Sequence, residues 1–562
     1  MTAPHAEQTD SPPDWTDADD WTPEALALLR TLRAPHRRGR AKQVLFLLYC
    51  VVLVLVIWGG VPSLGLFLQA KMGADYTAHG GRLLAALPSG IAAVSLATFL
   101  VVLRDALWRG PVVPPRASID WLLIHPVRPR PVLRPWFWLS CGLAAFPGLV
   151  TAVGAMVALG LMVKVGLAAA FGWCLVGCLC VPLLATSAAV WVERSDRAAR
   201  WVRRLSGPVL LAVLGLAAQC GLAIAGDRVG WLERGELWSG PWGWAGITAL
   251  APTRASVPGA WAAAALLLIG TLGALVLADR AASTVPLDRL RERARTAAGV
   301  LAALRTVELR SARLAVSSAA GAKPRHRLRL PAPRSAWLVI PWRDATALLR
   351  APARLGRAVL LTGPALLAAV PAHTSRGPAG WLATGVAVVF GYLAVAQLLE
   401  PARVEADDLR RSSWSPYRIT GLMLRHAVVP VLLGGLIAVL AALGVELAGG
   451  GPAVWLAPVL VPALVAAGLV NACRGVPRRD LIVSPLGGAG GGAGGGLGPL
   501  VFAAWYAAGP AVAVVVLAAP LSDAVRTDSN AACVPVAGLA LALAGVLGYW
   551  AWDRAGKLRA AN

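Results

Sequence analysis

Twelve uncharged hydrophobic stretches alternate with polar segments along this chain, and each is long enough to cross a lipid bilayer. Charged side chains are costly in hydrocarbon, so the ends of the stretches can be placed from the sequence. The pattern predicts an all-α polytopic integral membrane protein with about 12 transmembrane helices. The first six stretches are 44–69, 83–103, 135–163, 165–192, 205–226 and 255–278. The last six are 358–375, 377–399, 427–445, 447–473, 499–521 and 529–552.

Composition and charge agree with a membrane protein. Of the 562 residues, 57% are hydrophobic and 15% are charged, and the net charge is +24. If both termini are cytoplasmic, 45 of the 53 Lys and Arg residues fall on the cytoplasmic side, as the positive-inside rule requires. The charge therefore predicts the topology of a multi-pass protein of the cell membrane. Its expected direct partner is anionic membrane lipid, and no nucleic acid is expected.

The polar segments predict four regions. Residues 1–22 are acidic and are expected to be a disordered tail, and residues 23–278 form a first six-span half. Residues 279–341 are a basic cytoplasmic connector with helical composition over 287–315, and residues 342–562 form the second half. The first half opens at 23–42 with Thr22 as a helix N-cap, which predicts a helix on the membrane surface. An ordinary basic flank of the first span is the alternative.

A short internal repeat precedes the first span of each half. Residues 33–41 match residues 350–358 at seven of nine positions, and Ala-Leu-Leu-Arg stands beside both copies, at 27–30 and 347–350. Six spans return the chain to the same side of the membrane, so the halves are predicted to be two parallel six-helix repeats.

The polar segment at 118–138, between the second and third spans, is partly apolar. Asp120, Trp121, Leu122 and Leu123 predict a short amphipathic helix, and the prolines from Pro126 onward prevent it from continuing. Such an element beneath the membrane is a candidate contact for a soluble partner; a loop lying against the membrane is the alternative. The second half has a counterpart at 403–425. The candidate residues are Asp120, Trp121, Leu122, Leu123, Pro126 and Arg128, with Asp407, Asp408, Pro416 and Arg418 in the second half.

Two further polar segments of the first half are distinctive. Residues 193–204 predict a loop with five arginines that fixes orientation. Residues 227–254 predict an outer loop that folds back against the outer leaflet, because tryptophan prefers the membrane interface. That loop is a candidate outer gate or lid, with an inert aromatic belt as the alternative. Its tryptophans are Trp231, Trp238, Trp242 and Trp244.

Catalytic and energy-coupling groups are not visible in the spans. None of the twelve stretches holds an internal Asp, Glu, Lys or Arg, and no paired carboxylates, metal-ligand cluster or nucleophilic triad can be assembled. Cys174, Cys178 and Cys180 have no nearby histidine and are interpreted as small packing residues. We therefore expect no enzyme, no metal and no bound cofactor, and an energy source in another subunit.

With these features, the chain resembles the membrane (permease) subunit of an ABC exporter whose half-transporters have six spans. It is most similar to the fused twelve-span subunits of high-GC bacteria. The resemblance implies connecting helices at 23–42 and 342–357, coupling helices at 118–138 and 403–425, and a membrane-dipping outer region at 227–254. It also implies two copies of a cytoplasmic ATPase partner that uses ATP, and an exported substrate that the sequence does not identify.

The resemblance also implies roles for individual residues. Asp120 and the Asp407/Asp408 pair would be charged docking contacts for the ATPase, and Trp121, Leu122 and Leu123 an apolar knob. Pro126 and Pro416 would be rigid corners. An ion-coupled secondary transporter remains an alternative, although it needs buried ionisable residues. A non-catalytic membrane scaffold or assembly protein is the other, and it would have no ATPase partner.

The topology is directly testable. Reporter enzymes fused within residues 118–128 and 403–418 should both be active on the cytoplasmic side, because six spans separate two segments of the same orientation. A reporter in the outer loop at 227–254 is the matched control and should be active outside. An external reporter at either inner segment would contradict the parallel arrangement.

Overall fold

The computed structural model describes residues 20–34, 77, 80–116, 118–226, 229–305, 316, 331–374, 377–407, 417–447, 449–475 and 497–560. These residues form helices, turns and irregular segments, and no strand occurs among them. The chain divides into two compact units, Met1–Ala322 and Lys323–Asn562. The boundary falls inside the predicted connector.

Ten helices of the described residues are long and apolar enough to cross a membrane. This confirms the prediction of a helical, multi-pass, membrane-embedded protein. Of the twelve predicted spans, 44–69 lies outside the described residues, as does most of the predicted tail. The stretch 358–375 is helical but is not among the ten.

The first unit contains nine described α-helices. They are α1 (Thr22–Arg33), α2 (Gly80–Asp105), α3 (Pro129–Met162), α4 (Leu167–Arg194), α5 (Asp196–Ala225), α6 (Gly230–Trp238), α7 (Pro241–Leu250), α8 (Ala260–Ala282) and α9 (Leu287–Arg305). Helix α2 packs on α4 and α5, α3 packs on α4, and α4 packs on α8. Helices α3 and α4 form a close pair, and only residues 163–166 separate them.

One end of this bundle is strongly basic. We call it the basic end of the first unit; α2, α4 and α8 finish there, and α3 and α5 begin there. Its exposed arginines are Arg104, Arg109, Arg116, Arg128, Arg130, Arg134, Arg194, Arg197, Arg200, Arg203, Arg204 and Arg280. The exposed cations described at the opposite end are Arg82, Lys164, Arg234 and Arg254.

The prediction of a loop at 193–204 is wrong. Helix α4 ends at Arg194 and α5 starts at Asp196, so Ser195 alone joins them. Ala199 and Val202 pack against Ala106 and Ala189, and this apolar face supports a helix even though the same stretch contains five arginines. Residues 196–204 are therefore the first turns of the candidate span α5.

The second unit contains ten described α-helices. They are α10 (Val339–Arg350), α11 (Pro352–Thr374), α12 (Pro378–Leu398), α13 (Glu400–Asp407), α14 (Ile419–Arg425), α15 (Val428–Leu447), α16 (Leu456–Ala472), α17 (Leu497–Tyr506), α18 (Ala508–Thr527) and α19 (Asn530–Ala560). Helix α16 is the most deeply buried candidate span. It packs on α12, α15, α18 and α19, and α12 also packs on α11 and α18.

Close backbone approach between helices depends on small residues. A Cβ atom at Gly148 of α3 would lie 2.2 Å from the carbonyl oxygen of Cys178 of α4. In the second unit, a Cβ atom at Gly509 of α18 would lie 2.1 Å from the carbonyl oxygen of Ala467 of α16. Backbone atoms cannot move aside as side chains can, so these glycines set the spacing of the helices.

Gly148 and Gly142 provide a matched pair on α3, because a Cβ at Gly142 meets no atom within 4 Å. Gly148→Ala should destabilise the bundle by about 1–3 kcal/mol through overpacking. Gly142→Ala should be neutral or stabilising, because alanine favours helix more than glycine does. Thermal unfolding of the two purified variants measures the difference, and equal melting temperatures would contradict this packing.

Candidate functional site

The predicted coupling segment lies at the basic end of the first unit, between α2 and α3. Ser118–Leu122 form one turn of π-helix, in which the Leu123 amide donates to the Ser118 carbonyl at 3.3 Å. The turn ends at Leu122, before the first of the prolines that begin at Pro126. Pro129 and Pro131 then occupy the first turn of α3, where the missing amide hydrogen costs little.

Side chains of this turn face in two directions. Ile119 is fully buried in a cluster with Val112 and Phe137, and Leu123 packs against the same cluster. Trp121 and Ile124 point outward, with 77% and 60% of their surface exposed. The apolar surface is therefore Trp121 with Ile124, whereas the sequence predicted Trp121 with Leu122 and Leu123; Leu122 is half-buried. We call Trp121 and Ile124 the exposed apolar pair.

Asp120 is bonded within its own chain. Its carboxylate lies 3.3 Å from Nε of Arg116 and 3.7 Å from Nε of Arg291 of α9, and its side chain is 35% exposed. An exposed pair of this kind contributes about 0.2–1 kcal/mol. Asp120 thus helps to hold α9 against the π-helical turn.

Helix α9 is fixed more firmly through the junction of α4 and α5. Arg293 lies 3.3 Å from the carboxylate of Glu193, which is fully buried, and Arg289 bonds Asp196 at 2.6 Å. The other Glu193 oxygen accepts a hydrogen bond from the Val112 amide at 3.1 Å. Arginines of one helix therefore connect the coupling segment to the ends of α2, α4 and α5.

Gly110 makes room for this buried carboxylate. Its φ of +76° favours glycine, and a Cβ atom there would lie 2.6 Å from the Glu193 carboxyl group. The turn after α2 can therefore close over Glu193 only with glycine at this position. Sequence reasoning missed Glu193, because it stands at the end of a hydrophobic stretch and resembles an interfacial charge.

Helix α1 is also tied to the coupling segment. The Trp21 amide donates to the Pro126 carbonyl at 3.1 Å, and the Arg128 amide donates to the Thr22 hydroxyl at 2.8 Å. Arg128 also pairs with Asp20 at 2.8 Å. A hydrogen bond from Thr22 holds the pKa of Asp20 below its ordinary value, and Arg128 adds to this effect. Pro126 and Arg128 thus act as attachment points for α1.

Asp279 anchors the start of α3 to the end of α8. It accepts hydrogen bonds from Nε of Arg134 and Nε1 of Trp138, each at 2.9 Å, and from Arg130 at 3.4 Å. Three donors on successive turns of α3 therefore meet one buried carboxylate. The sequence had placed Asp279 at the start of the connector.

The second unit has a comparable polar cluster. Asp344 of α10 bonds Nδ1 of His426 at 2.5 Å, and both residues are buried. Arg343 bonds Glu405 of α13 at 2.8 Å and approaches Nε2 of His426 at 3.5 Å. Helix α10, the first described α-helix of its unit, is thereby tied to both ends of the segment between α12 and α15.

The two ends of the predicted second coupling segment, 403–407 and 417–425, are described. Asp407 is exposed at the end of α13, and Arg418 is exposed at the N-cap of α14. Asp408 and Pro416 lie outside the described residues. Tyr417 donates to the Ala336 carbonyl at 2.7 Å, which adds a second link to the segment before α10.

The predicted outer loop of the first unit forms a helical hairpin, α6 and α7. Trp231 is 74% exposed at its start, and Trp238 is partly exposed. Trp242 donates to the Ser239 hydroxyl at 2.8 Å and meets Phe99 of α2 edge-on, and Trp244 packs beside Leu237. The four tryptophans do not form one belt. Trp231 and Trp238 are on the exposed surface of the hairpin, whereas Trp242 and Trp244 are partly buried.

Helix α7 packs among α2, α4 and α8, and seven of its ten residues are buried. A Cβ atom at Gly177 of α4 would lie 3.0 Å from the Thr248 hydroxyl, so glycine allows α7 to approach α4 closely. The hairpin also reaches deep into the helical bundle of the first unit. Trp242 contacts Phe99, which is about 28 Å along α2 from Gly80 at 1.5 Å per residue.

Among the described residues, no group of three His, Cys, Asp or Glu side chains could hold a metal ion. Cys174, Cys178 and Cys180 have free thiols within α4. Comparison of the chain with models of protein families, with curated proteins and with solved structures finds no match.

Arg293 and Arg295 provide a test of the α9 attachment. Arg293→Ala would leave the buried Glu193 carboxylate without its charged partner, a change that costs about 3–5 kcal/mol in known cases. We expect faster amide hydrogen exchange over α9 and over 110–124, measured by mass spectrometry. Arg295 is exposed two residues away, so Arg295→Ala should leave exchange unchanged. Equal exchange in the two variants would contradict this assignment.

Proposed function

We propose that this chain is the transmembrane permease subunit of an ATP-driven ABC exporter, energised by a separate cytoplasmic ATPase subunit in two copies. In this proposal the chain binds no cofactor itself, both termini are cytoplasmic, and the chain consists of two parallel six-span halves. The single observation that carries it is the exposed apolar pair, presented on a turn that is anchored to the bundle and to two surface elements.

The internal packing of each unit supports the two-repeat arrangement. If α2, α3, α4, α5 and α8 correspond to α12, α15, α16, α18 and α19, four pairs of helices are in contact in both units. These are the second span with the fourth and fifth, the third with the fourth, and the fourth with the sixth. Two unrelated bundles would not be expected to share these contacts.

The attachment of the surface helices also supports it. Helices α1 and α10 end in the repeated sequence, and each is tied to the segment between the second and third spans of its unit. The bonds differ: Asp20 and Thr22 meet Arg128 in one unit, and Arg343 meets Glu405 in the other. The same architecture is thus supported by different side chains.

The anchoring of the coupling segment gives it a means of acting on the spans. A force applied to Trp121 is carried by Ile119 into the apolar cluster at the ends of α3 and α8. The contacts of Asp120 with Arg291, and of Arg293 with Glu193, carry it to the junction of α4 and α5. Motion of an attached ATPase would therefore shift several helix ends together.

An ion-gradient-driven carrier is the second candidate. Such a carrier needs an ionisable residue within the depth of the membrane, and none of the twelve hydrophobic stretches contains one. Glu236 of α6 meets this requirement, because it accepts a hydrogen bond from Ser89 of α2 at 3.0 Å. A carrier of this class would transport in proteoliposomes that contain no ATPase.

Trp121→Ala provides the main test of ATPase docking. An exposed tryptophan at the centre of an interface contributes about 2 kcal/mol or more, so affinity should fall about thirtyfold. The measurement is co-purification of a nucleotide-hydrolysing subunit from the native host in mild detergent. It is followed by titration of that subunit against the purified chain.

Trp231→Ala is the matched control, because this tryptophan is equally exposed in the hairpin that begins at the opposite end. It should leave ATPase affinity unchanged. Substitution of Asp120 is a less selective test, since it would also release α9. Unchanged affinity in Trp121→Ala and Ile124→Ala, or the absence of an ATPase partner, would overturn the proposal.

A further inference from the structure

Glu236 lies within the bundle, although it belongs to no span. It accepts a hydrogen bond from Ser89, which is about 14 Å along α2 from Gly80 at 1.5 Å per residue. The helix is 26 residues long, about 38 Å by the same rise, so this contact is roughly a third of the way along it. A half-buried carboxyl group therefore lies between the hairpin and α2 at a level that the bundle surrounds.

The groups that act on Glu236 are polar or acidic. Ser89 faces it from α2, Gln219 faces it from α5, and Glu233 lies one turn earlier on α6. The Nε2 atom of Gln219 is enclosed and completes no hydrogen bond in the described part of the chain. In that part, no Lys, Arg or His lies within ion-pair distance of Glu236.

The Glu236 carboxylate has no oppositely charged partner among the described residues. Burial disfavours the charged form of a carboxyl group, and a second acidic group nearby disfavours it further. Burial accordingly raises the pKa of Glu236 above its ordinary value, and the hydrogen bond from Ser89 and the nearby Gln219 amide oppose the rise. Addition of a proton to one carboxylate oxygen would neutralise the group without any other bond change.

We propose that Glu236 is a proton-binding site at the contact between the α6–α7 hairpin and α2. A proton from water adds to the carboxylate and later returns to water, so atoms and charge balance. The site makes the hairpin contact depend on pH. It does so whether an ATPase or an ion gradient drives transport.

The contact with Ser89 explains why protonation matters to the structure. The Ser89 hydroxyl donates to Oε2 of Glu236, a bond that is stronger when the acceptor is ionised. Protonation therefore weakens the link between α6 and α2. Loss of the proton strengthens it and holds the tip of the hairpin in the bundle.

Infrared spectroscopy of the full chain in lipid nanodiscs tests the site without a substrate or a partner. The carbonyl stretch of a protonated carboxyl group is separate from that of a carboxylate, and subtraction of the Glu236→Gln spectrum isolates this residue. Spectra are collected from about pH 5 to about pH 9, above the ordinary glutamate pKa of about 4.3. We expect a protonated Glu236 band that disappears as the pH rises.

A second variant makes the outcome decisive. Ser89→Ala removes a hydrogen bond that favours the ionised form, so the band should persist to higher pH. The proposal is overturned if the Glu236 band is absent at every pH, or if Ser89→Ala leaves its pH dependence unchanged. ATPase co-purification is independent of either result.

Discussion

A buried charge must have a partner, and this constraint organises the basic end of the first unit. Glu193 has no exposed surface, and its carboxylate is stabilised by the Val112 amide and the Arg293 guanidinium. The first partner belongs to the segment after α2 and the second to α9. A single carboxylate therefore joins the end of a span, the segment after α2 and the connector helix. Replacement of one partner alone would leave an uncompensated charge in a low-dielectric site.

The second unit satisfies the same constraint with other side chains. Asp344 and His426 are both buried and bond each other, and Arg343 connects this pair to Glu405. Away from such clusters, the helices pack through small and aliphatic side chains, with glycine where backbones meet. A few hydrogen bonds also cross between the described spans, such as the one that the Thr384 hydroxyl donates to the Ala518 carbonyl at 2.7 Å.

The two units differ at the opposite end. In the first unit, a two-helix hairpin lies between α5 and α8. Glu236 of this hairpin accepts a hydrogen bond from Ser89 of α2. The second unit joins α18 to α19 through Asp528 and Ser529 alone. The two units therefore have unlike connections at this end. Any gate or ionisable site formed by the hairpin belongs to one half only.

The sequence by itself determined the helical membrane class, most of the spans and the presence of a short turn near Asp120, because hydrophobic length and proline placement act locally. It also identified the segment at 227–254 as unusual from its tryptophans. Only the tertiary structure decided which side of the turn is exposed, since Leu123 faces a cluster formed by distant helices and Ile124 does not. The same holds for Glu193 and Glu236. Their surroundings depend on long-range packing, and a carboxylate beside an apolar run is otherwise indistinguishable from an interfacial charge.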